Sequence, residues 1–239
     1  MTEITFYVPC LNEETNIQES LKTITQSCEI LEIEEYEILV FNDGSTDDSL
    51  KKIEEFKFKN NLMNKIKVLT NNRPMGLGYN YIEGAYKGIG KYYIMVCGDN
   101  SEDMNNLCKV LGERGKADII IPNFIKNDNR IFVRRVLSRF FTFLVNFFSG
   151  NKLKYYNGIV LHKIENVKRW HPLSCGFGYQ AELLTNLISV GKTYIEIDIK
   201  NIDRKTGISR SLSLLNFLSV THTLLQILFR RIRKSIWKV

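Results

Sequence analysis

An apolar run that ends abruptly in a polar turn constrains this chain more than any other feature. Ile38-Leu39-Val40-Phe41 leads into Asn42-Asp43-Gly44-Ser45, and a helix-compatible stretch opens at Asp47-Asp48. The length and β-branched content of the run fit a strand buried on both faces, as in a parallel sheet. Upstream, Tyr7-Val8-Pro9-Cys10-Leu11-Asn12-Glu13 repeats the plan of strand, polar turn and helix start. Asn-Asp-Gly-Ser is good turn chemistry on its own account. Two such strand ends, however, put polar side chains at the carboxyl edge of an open α/β sheet, where ligands bind.

The rest of the chain extends this alternation. Strands are expected near 3–9, 36–41, 65–70, 91–97, 117–122, 157–162 and 193–198. Helices are expected near 13–31, 47–60, 77–90, 103–115, 131–148, 178–190 and 211–235. The first five strands alternate with helices, which predicts a parallel sheet with right-handed crossovers. A chain of 239 residues can bury one large core, and no repeat, low-complexity segment or Pro/Gly/Ser-rich linker divides it. The expected organisation is one α/β domain over 1–210 with a helical appendage over 211–239.

Charge narrows the partners. The net charge is +7, yet eight Lys/Arg and no Asp or Glu lie from Arg204 onward, which leaves the first 203 residues at −1. A dedicated nucleic-acid binder would carry its basic surface on the core, so nucleic acid is not the expected partner. A basic tail beside apolar residues points to an anionic membrane surface. Five cysteines without a C-x-x-C pair, after an N-terminus lacking a basic-then-apolar leader, predict reduced thiols in a cytoplasmic protein.

Further segments carry candidate chemistry. Gly76-Leu77-Gly78 opens a helix that also carries Gly84 and Gly88. The amides at such a helix start suit a diphosphate or ribose, while Gly84 and Gly88 suit close packing on the sheet. A fourth apolar run ends in Cys97-Gly98-Asp99-Asn100, with Glu102 and Asp103 just beyond. Glu182 opens an apolar helix after Gly176-Phe177-Gly178-Tyr179, as a first-turn carboxylate or a general base. Arg204, Lys205 and Arg210 form a basic loop suited to phosphate oxygens, or a solvated one.

Taken together, VPCLNE, NDGSTDDS, Gly76-Leu77-Gly78, Gly84, Gly88 and Gly98-Asp99 resemble the family 2 glycosyltransferases, inverting enzymes with a nucleotide-sugar-binding (GT-A) fold. Within that family the order and length are similar to the dolichol-phosphate mannose synthase, or polyprenyl-phosphate, branch. The resemblance implies an α/β fold with an open, mostly parallel sheet flanked by helices. It implies that Pro9, Asn12, Glu13, Asn42 and Asp43 hold the nucleoside of a nucleotide-diphosphate sugar, with Gly76 and Gly78 nearby. Asn42 stands where the family often has Asp. The family's Asp-x-Asp metal motif aligns Asp99 with its second Asp and Cys97 with its first. Asp99 is then the catalytic ligand of Mg²⁺ or Mn²⁺ at the donor diphosphate, and Cys97 is a poor ligand for either ion. The acceptor is expected to be a polyprenyl phosphate, gripped by Arg204, Lys205 and Arg210. A hydroxyl of a surface glycan or lipid-linked saccharide is the alternative, with Glu182 as base. A weakened homologue that only binds a nucleotide sugar is a third reading.

Two helices favour a membrane surface. Arg134 to Phe148 is basic at one end and rich in phenylalanine, and is too short to span a bilayer. Residues 211–229 are uncharged, but Asn216, Ser219, Thr223, Gln226 and Arg230 recur every three or four residues as one polar stripe. The expectation is a helix lying on the inner leaflet, with homo-oligomerisation through that helix as the rival.

Overall fold

The structure is a computed structural model and describes residues 1–124, 132–170, 176, 178–200 and 214–237. In chain order the elements are β1 (Ile4–Cys10), α1 (Ile17–Ile30), β2 (Tyr36–Asn42), α2 (Ser49–Lys59), β3 (Ile66–Thr70), α3 (Leu77–Lys87), β4 (Tyr92–Met95) and α4 (Met104–Gly112). They continue with β5 (Ile119–Phe124), α5 (Phe132–Ser149), β6 (Leu161–Lys163), α6 (Ile164–Lys168), α7 (Tyr179–Ser189), β7 (Tyr194–Ile199) and α8 (Leu214–Trp237).

Seven strands form one sheet in the order β3-β2-β1-β4-β6-β5-β7. The chain starts at the centre, winds outward through β2 and β3, then crosses back to β4 on the other side of β1. Ile4 of β1 is in register with Tyr36 of β2 and Tyr92 of β4, and both pairings are parallel. This reversal of winding opens a crevice beyond the carboxyl ends of β1 and β4. Only β6 runs against its neighbours among the described strands, wedged between β4 and β5.

Side-chain alternation along β1 explains the layers. Phe6, Val8 and Cys10 point to one face, where Ile17, Leu21 and Ile24 of α1 and Val110 and Leu111 of α4 cover them. Tyr7 points to the other face, among Tyr81 and Ala85 of α3, Tyr179 and Leu183 of α7, Val145 of α5 and Ile227 of α8. Both faces of the central strands are thus sealed, which is why their sequences read as continuous apolar runs. Gly84 and Gly88 let α3 lie close to the sheet. A Cβ on Gly84 would stand 2.5 Å from the Tyr93 hydroxyl, and one on Gly88 2.8 Å from Thr5 Cγ2.

Three details depart from the expected pattern. The first helix begins at Ile17 rather than near residue 13, because Asn12 takes a positive φ of 57° and the next amides bond elsewhere. The strand expected over 157–162 shrinks to Leu161–Lys163, since Gly158 turns the chain at φ 106° and its carbonyl accepts from the Val160 amide at 2.9 Å. The short helix α6 was not expected; its five residues are too few to carry a helical period.

Candidate active site

The two polar turns recognised in the sequence interlock at the carboxyl edge of β1 and β2. The amides of Asn12, Glu13 and Glu14 donate to Ser45 Oγ (3.0 Å), Ser49 Oγ (2.8 Å) and Asp47 Oδ2 (3.1 Å). In return the Thr46 amide donates to Asn12 Oδ1 at 2.8 Å and the Asp48 amide to Glu14 Oε2 at 2.9 Å. The backbone amides of the turn ahead of α1 therefore find acceptors on the turn into α2, and the reverse also holds. Asn42 is buried, and its Oδ1 accepts from the Ser45 amide at 3.0 Å, closing the turn. Asn12 and Asn42 are thus bound into the scaffold of the turn, and Pro9 lies half-buried at the end of β1.

Asp43 has a neighbouring task. Its Oδ1 accepts from Asn71 Nδ2 and from the Met75 amide, each at 2.8 Å, and its Oδ2 accepts from the Gly76 amide at 3.1 Å. Asn71 Nδ2 also reaches Asn80 Oδ1 at 2.8 Å, which ties the segment to α3. Burial opposes ionisation of Asp43, yet the Met75 amide, Asn71, Asn80 and the Gly76 amide outweigh it and hold the carboxyl below the usual range. Gly44, at φ 81°, comes against Arg73 and Pro74. The carboxylate therefore fixes the loop over residues 71–76 beside the carboxyl edge of β2. Gly76, at φ 95°, caps the start of α3, and Gly78 is buried in its first turn.

Asp99 follows β4 directly across the crevice. Gly98 is needed there: its amide donates to the Pro9 carbonyl at 3.2 Å, and a Cβ would lie 2.6 Å from that oxygen. Asp99 Oδ1 accepts from the Ser101 amide at 3.2 Å, and the Asn100 amide donates to Ser20 Oγ of α1 at 2.9 Å. Pro9, Asn12, Glu13, Asn42, Asp43, Gly76, Gly78 and Asp99 are in this way gathered at one sheet edge. Burial, then Asp99 and Glu102, push the Cys97 thiol well above its ordinary range, so it stays protonated. Burial, then Asp99 and Asp103, push Glu102 up to about 7. Among the described residues no three His, Cys, Asp or Glu converge to hold a metal unaided. The oxygen-rich turn still fits a hard cation whose remaining ligands come from a diphosphate and water.

The residues at the start of α7 behave differently. Tyr179 opens α7 against the end of β4, its hydroxyl 3.3 Å from Met95 Sδ and its ring 4.8 Å from that of Tyr81. One turn later Glu182 is fully buried and paired with Arg230 of α8, Nη2 to Oε1 at 3.3 Å. Arg230 Nη1 also donates to the Glu182 carbonyl at 3.2 Å, and its guanidinium stacks 4.5 Å from the Trp170 ring centroid. Gly178 lies against Thr223 so closely that a Cβ would collide with the threonine hydroxyl. Arg204, Lys205 and Arg210 lie outside the described residues.

Sequence reasoning passed over several residues that build the site. Asn71 and Asn80 anchor Asp43, and the only sequence signal was a third strand ending in Asn71-Asn72. Ser45 and Ser49 receive the amides of the first turn. Arg230 was visible in the polar stripe of α8, but nothing in the spacing connected it to Glu182.

Comparison with known proteins gives this arrangement a family. The model for glycosyl transferase family 2 matches residues 5–169, well over half of the chain. An undecaprenyl-phosphate 4-deoxy-4-formamido-L-arabinose transferase of Proteus mirabilis (strain HI4320) is 22% identical over 229 residues, which cover 94% of this chain and 67% of that protein. The glucosyl-3-phosphoglycerate synthase of Mycobacterium tuberculosis, in complex with Mn²⁺, UDP-glucose and phosphoglyceric acid, superposes with a TM-score of 0.71 at 17% identity, over 95% of this chain and 80% of that one. Its complex with Mg²⁺ and UDP gives a TM-score of 0.69 at 17% identity, over 95% and 79% of the respective chains. With its strand order, its paired polar turns and a family match running from β1 to α6, the chain belongs to glycosyl transferase family 2 and is a glycosyltransferase of GT-A fold.

Proposed function

We propose that this glycosyltransferase moves a sugar from a nucleoside diphosphate to the phosphate of a polyprenyl lipid, with inversion at the anomeric carbon. The observation that carries the reading is that Asp43, which anchors the 71–76 loop, and the Asp99 turn both rest on the end of β1: the Asp43 amide donates to the Cys10 carbonyl (2.8 Å) and the Gly98 amide to the Pro9 carbonyl (3.2 Å). A nucleoside bound along Pro9, Asn12, Glu13 and Asp43 directs its diphosphate toward Asp99 and the start of α3. Asp99 would hold a divalent cation there, and the bound cation supplies positive charge at the departing diphosphate.

In the reaction an acceptor phosphate oxygen forms a bond to the anomeric carbon. The bond from that carbon to the β-phosphate oxygen breaks, and its electron pair leaves with the nucleoside diphosphate. Arg204, Lys205 and Arg210 are proposed to grip phosphate oxygens. A phosphate arrives already ionised, so no group on the enzyme must take a proton. The pairing of buried Glu182 with Arg230 supports this choice over a hydroxyl acceptor, which would require a free base. The undecaprenyl-phosphate transferase of Proteus mirabilis supports a lipid phosphate as the acceptor class. No helix among the described residues is long and apolar enough to cross a membrane, and we propose peripheral action at the inner leaflet.

The test is a transfer assay with labelled UDP- and GDP-sugars, offering undecaprenyl phosphate or undecaprenol, with and without Mn²⁺. Transfer to the phosphate alone, reduced at least roughly 100-fold in Asp99→Asn, is the expected outcome. Equal use of the alcohol would refute the acceptor class, and full activity of Asp99→Asn would refute its role. Stabilisation by a nucleotide sugar with no transfer to either lipid would favour a binding-only homologue.

A further inference from the structure

β7 ends without a neighbour to complete its hydrogen bonds. Its pairing with β5 closes at Phe124 beside Ile199, and no described strand lies on its other side. Lys200 follows at the carboxyl edge of the sheet, the edge that also carries Asp99, because β4, β5 and β7 run in one direction. Beyond the ladder, a residue's backbone N–H and C=O need partners from elsewhere. At Lys200 both are taken by one side chain. Asn106 Nδ2 donates to the Lys200 carbonyl, and the Lys200 amide donates to Asn106 Oδ1 at 3.1 Å. The carboxamide thus offers one donor and one acceptor to the strand end, as a peptide group of a further strand would.

Asn106 is the third residue of α4 and is 4% exposed, on a helix whose Leu107, Val110 and Leu111 are wholly buried. Packing alone calls for another apolar side chain at such a position. A buried amide is tolerated when its polar atoms are bonded, and here both are bonded to the same residue. The clamp also joins two parts of the sheet edge. α4 opens directly after the Asp99 turn, where Asp99 Oδ1 holds the Ser101 amide and Ser20 Oγ of α1 holds the Asn100 amide. The Asp103 carbonyl then accepts from the Leu107 amide at 2.9 Å, so little slack is left between Asp99 and Asn106. On the other side, residues 201–203 alone separate Lys200 from Arg204. Four steps of chain span no more than about 14 Å, so fixing Lys200 limits where the Arg204 backbone can lie.

We propose that Asn106 is a positioning residue for phosphate binding. From the helix that follows the Asp99 turn, it sets where the chain bearing Arg204, Lys205 and Arg210 leaves the sheet. The proposal rests on the reading that these cations grip phosphate oxygens, and it adds what holds their segment in place relative to Asp99. Asn106 itself touches no substrate. Without its carboxamide the Lys200 backbone turns to water for partners, and the cations keep their charge but lose their fixed origin.

Two calorimetric titrations read the grip without requiring sugar transfer: Mn²⁺–UDP binding to the protein, and binding of a short isoprenyl phosphate to the Mn²⁺–UDP complex. Arg204→Ala should weaken at least one of them by about tenfold or more. Asn106→Leu, close to isosteric, should weaken the same titration by about three- to tenfold, and adding Arg204→Ala to it should cost less than about threefold further. The Lys200 amide should exchange its hydrogen at least about tenfold faster in Asn106→Leu than in the wild type. Asn106→Ala, which leaves room for water, should repeat both results and stands in if the leucine variant does not fold. A role in stability alone would lower the melting temperature and leave the Arg204→Ala effect at full size; that result, or unchanged exchange at Lys200, would overturn the proposal. An Arg204→Ala variant that weakens neither titration in the otherwise wild-type protein would instead refute the phosphate grip, and the proposal with it. The two failures are told apart because only the first involves a change at Asn106.

Discussion

Replacing Arg230 with methionine keeps most of the aliphatic stem and removes the guanidinium from a site where it has three partners. The carboxylate of Glu182 has no exposed surface, and the Arg230 side chain is 12% exposed, so solvent can do little to compensate. Burial pulls the guanidinium's pKa down from its ordinary range while Glu182 acts to raise it, as for a charge that needs its partner. Breaking a buried pair on one side costs about 3–5 kcal/mol, because the remaining charge is left stranded. The contact distances of 3.2 and 3.3 Å are long for charge-assisted bonds, which favours the lower end, about 3 kcal/mol. For a chain of this size that corresponds to a fall in melting temperature of roughly 6–12 °C. Glu182→Gln should also destabilise, but Arg230→Met with Glu182→Gln should cost less than the sum of the two, with a coupling of roughly 1–3 kcal/mol. Urea unfolding of the four proteins closes the cycle. A loss below about 1 kcal/mol in Arg230→Met, or strict additivity, would show that the pair does not hold α8 to α7.

Two other expectations follow from buried groups. His162 lies wholly inside the sheet between β4 and β5, and burial pushes its imidazole down to about 3 from an ordinary 6.5. The unfolded chain therefore binds a proton below about pH 6.5 that the folded chain refuses, so this contribution is intact above that pH and lost progressively toward pH 3. From pH 7 to pH 5 the difference should be about 2 kcal/mol, and His162→Leu should flatten that slope in pH-dependent unfolding; an unchanged slope would sink the assignment. Asp43→Ala should leave the Met75 and Gly76 amides without their acceptor and cost about 2 kcal/mol. It should also weaken Mn²⁺–UDP binding by at least about tenfold in calorimetry, whereas undiminished affinity would show that the 71–76 loop does not shape the donor edge.

The polar turns at the sheet edge were legible because their parts are local. Each polar turn follows its own apolar strand within a few residues, so Asn12, Asn42, Asp43 and Asp99 could be read off as strand-end groups before any contact was known. What the sequence did not reveal was how these groups divide their bonds. Asn12 and Asn42 spend side-chain oxygens on neighbouring amides, and Asp43 engages Met75 and Gly76, more than thirty residues away. Periodicity has no access to such pairings. It also overran where a single backbone angle decides the outcome, as at Gly158 ahead of β6 and at Asn12 ahead of α1.

The polar stripe of α8 shows the same limit in a stronger form. Spacing of three and four residues establishes that Thr223 and Arg230 share a face, but a face can look toward water or toward a buried carboxylate. Sequence reasoning set the polar side toward solvent and used the cations for lipid. In the structure Thr223 is fully buried against Gly178, and Arg230 meets Glu182. The inversion is explicable: a fully buried Glu182 creates a demand for positive charge inside the protein, and Arg230 is the cation that α8 presents to it. With the polar side consumed in this way, the apolar side of α8 is left outward beside the phenylalanines of α5. Glu182, rather than solvent, thus sets how the helix is oriented.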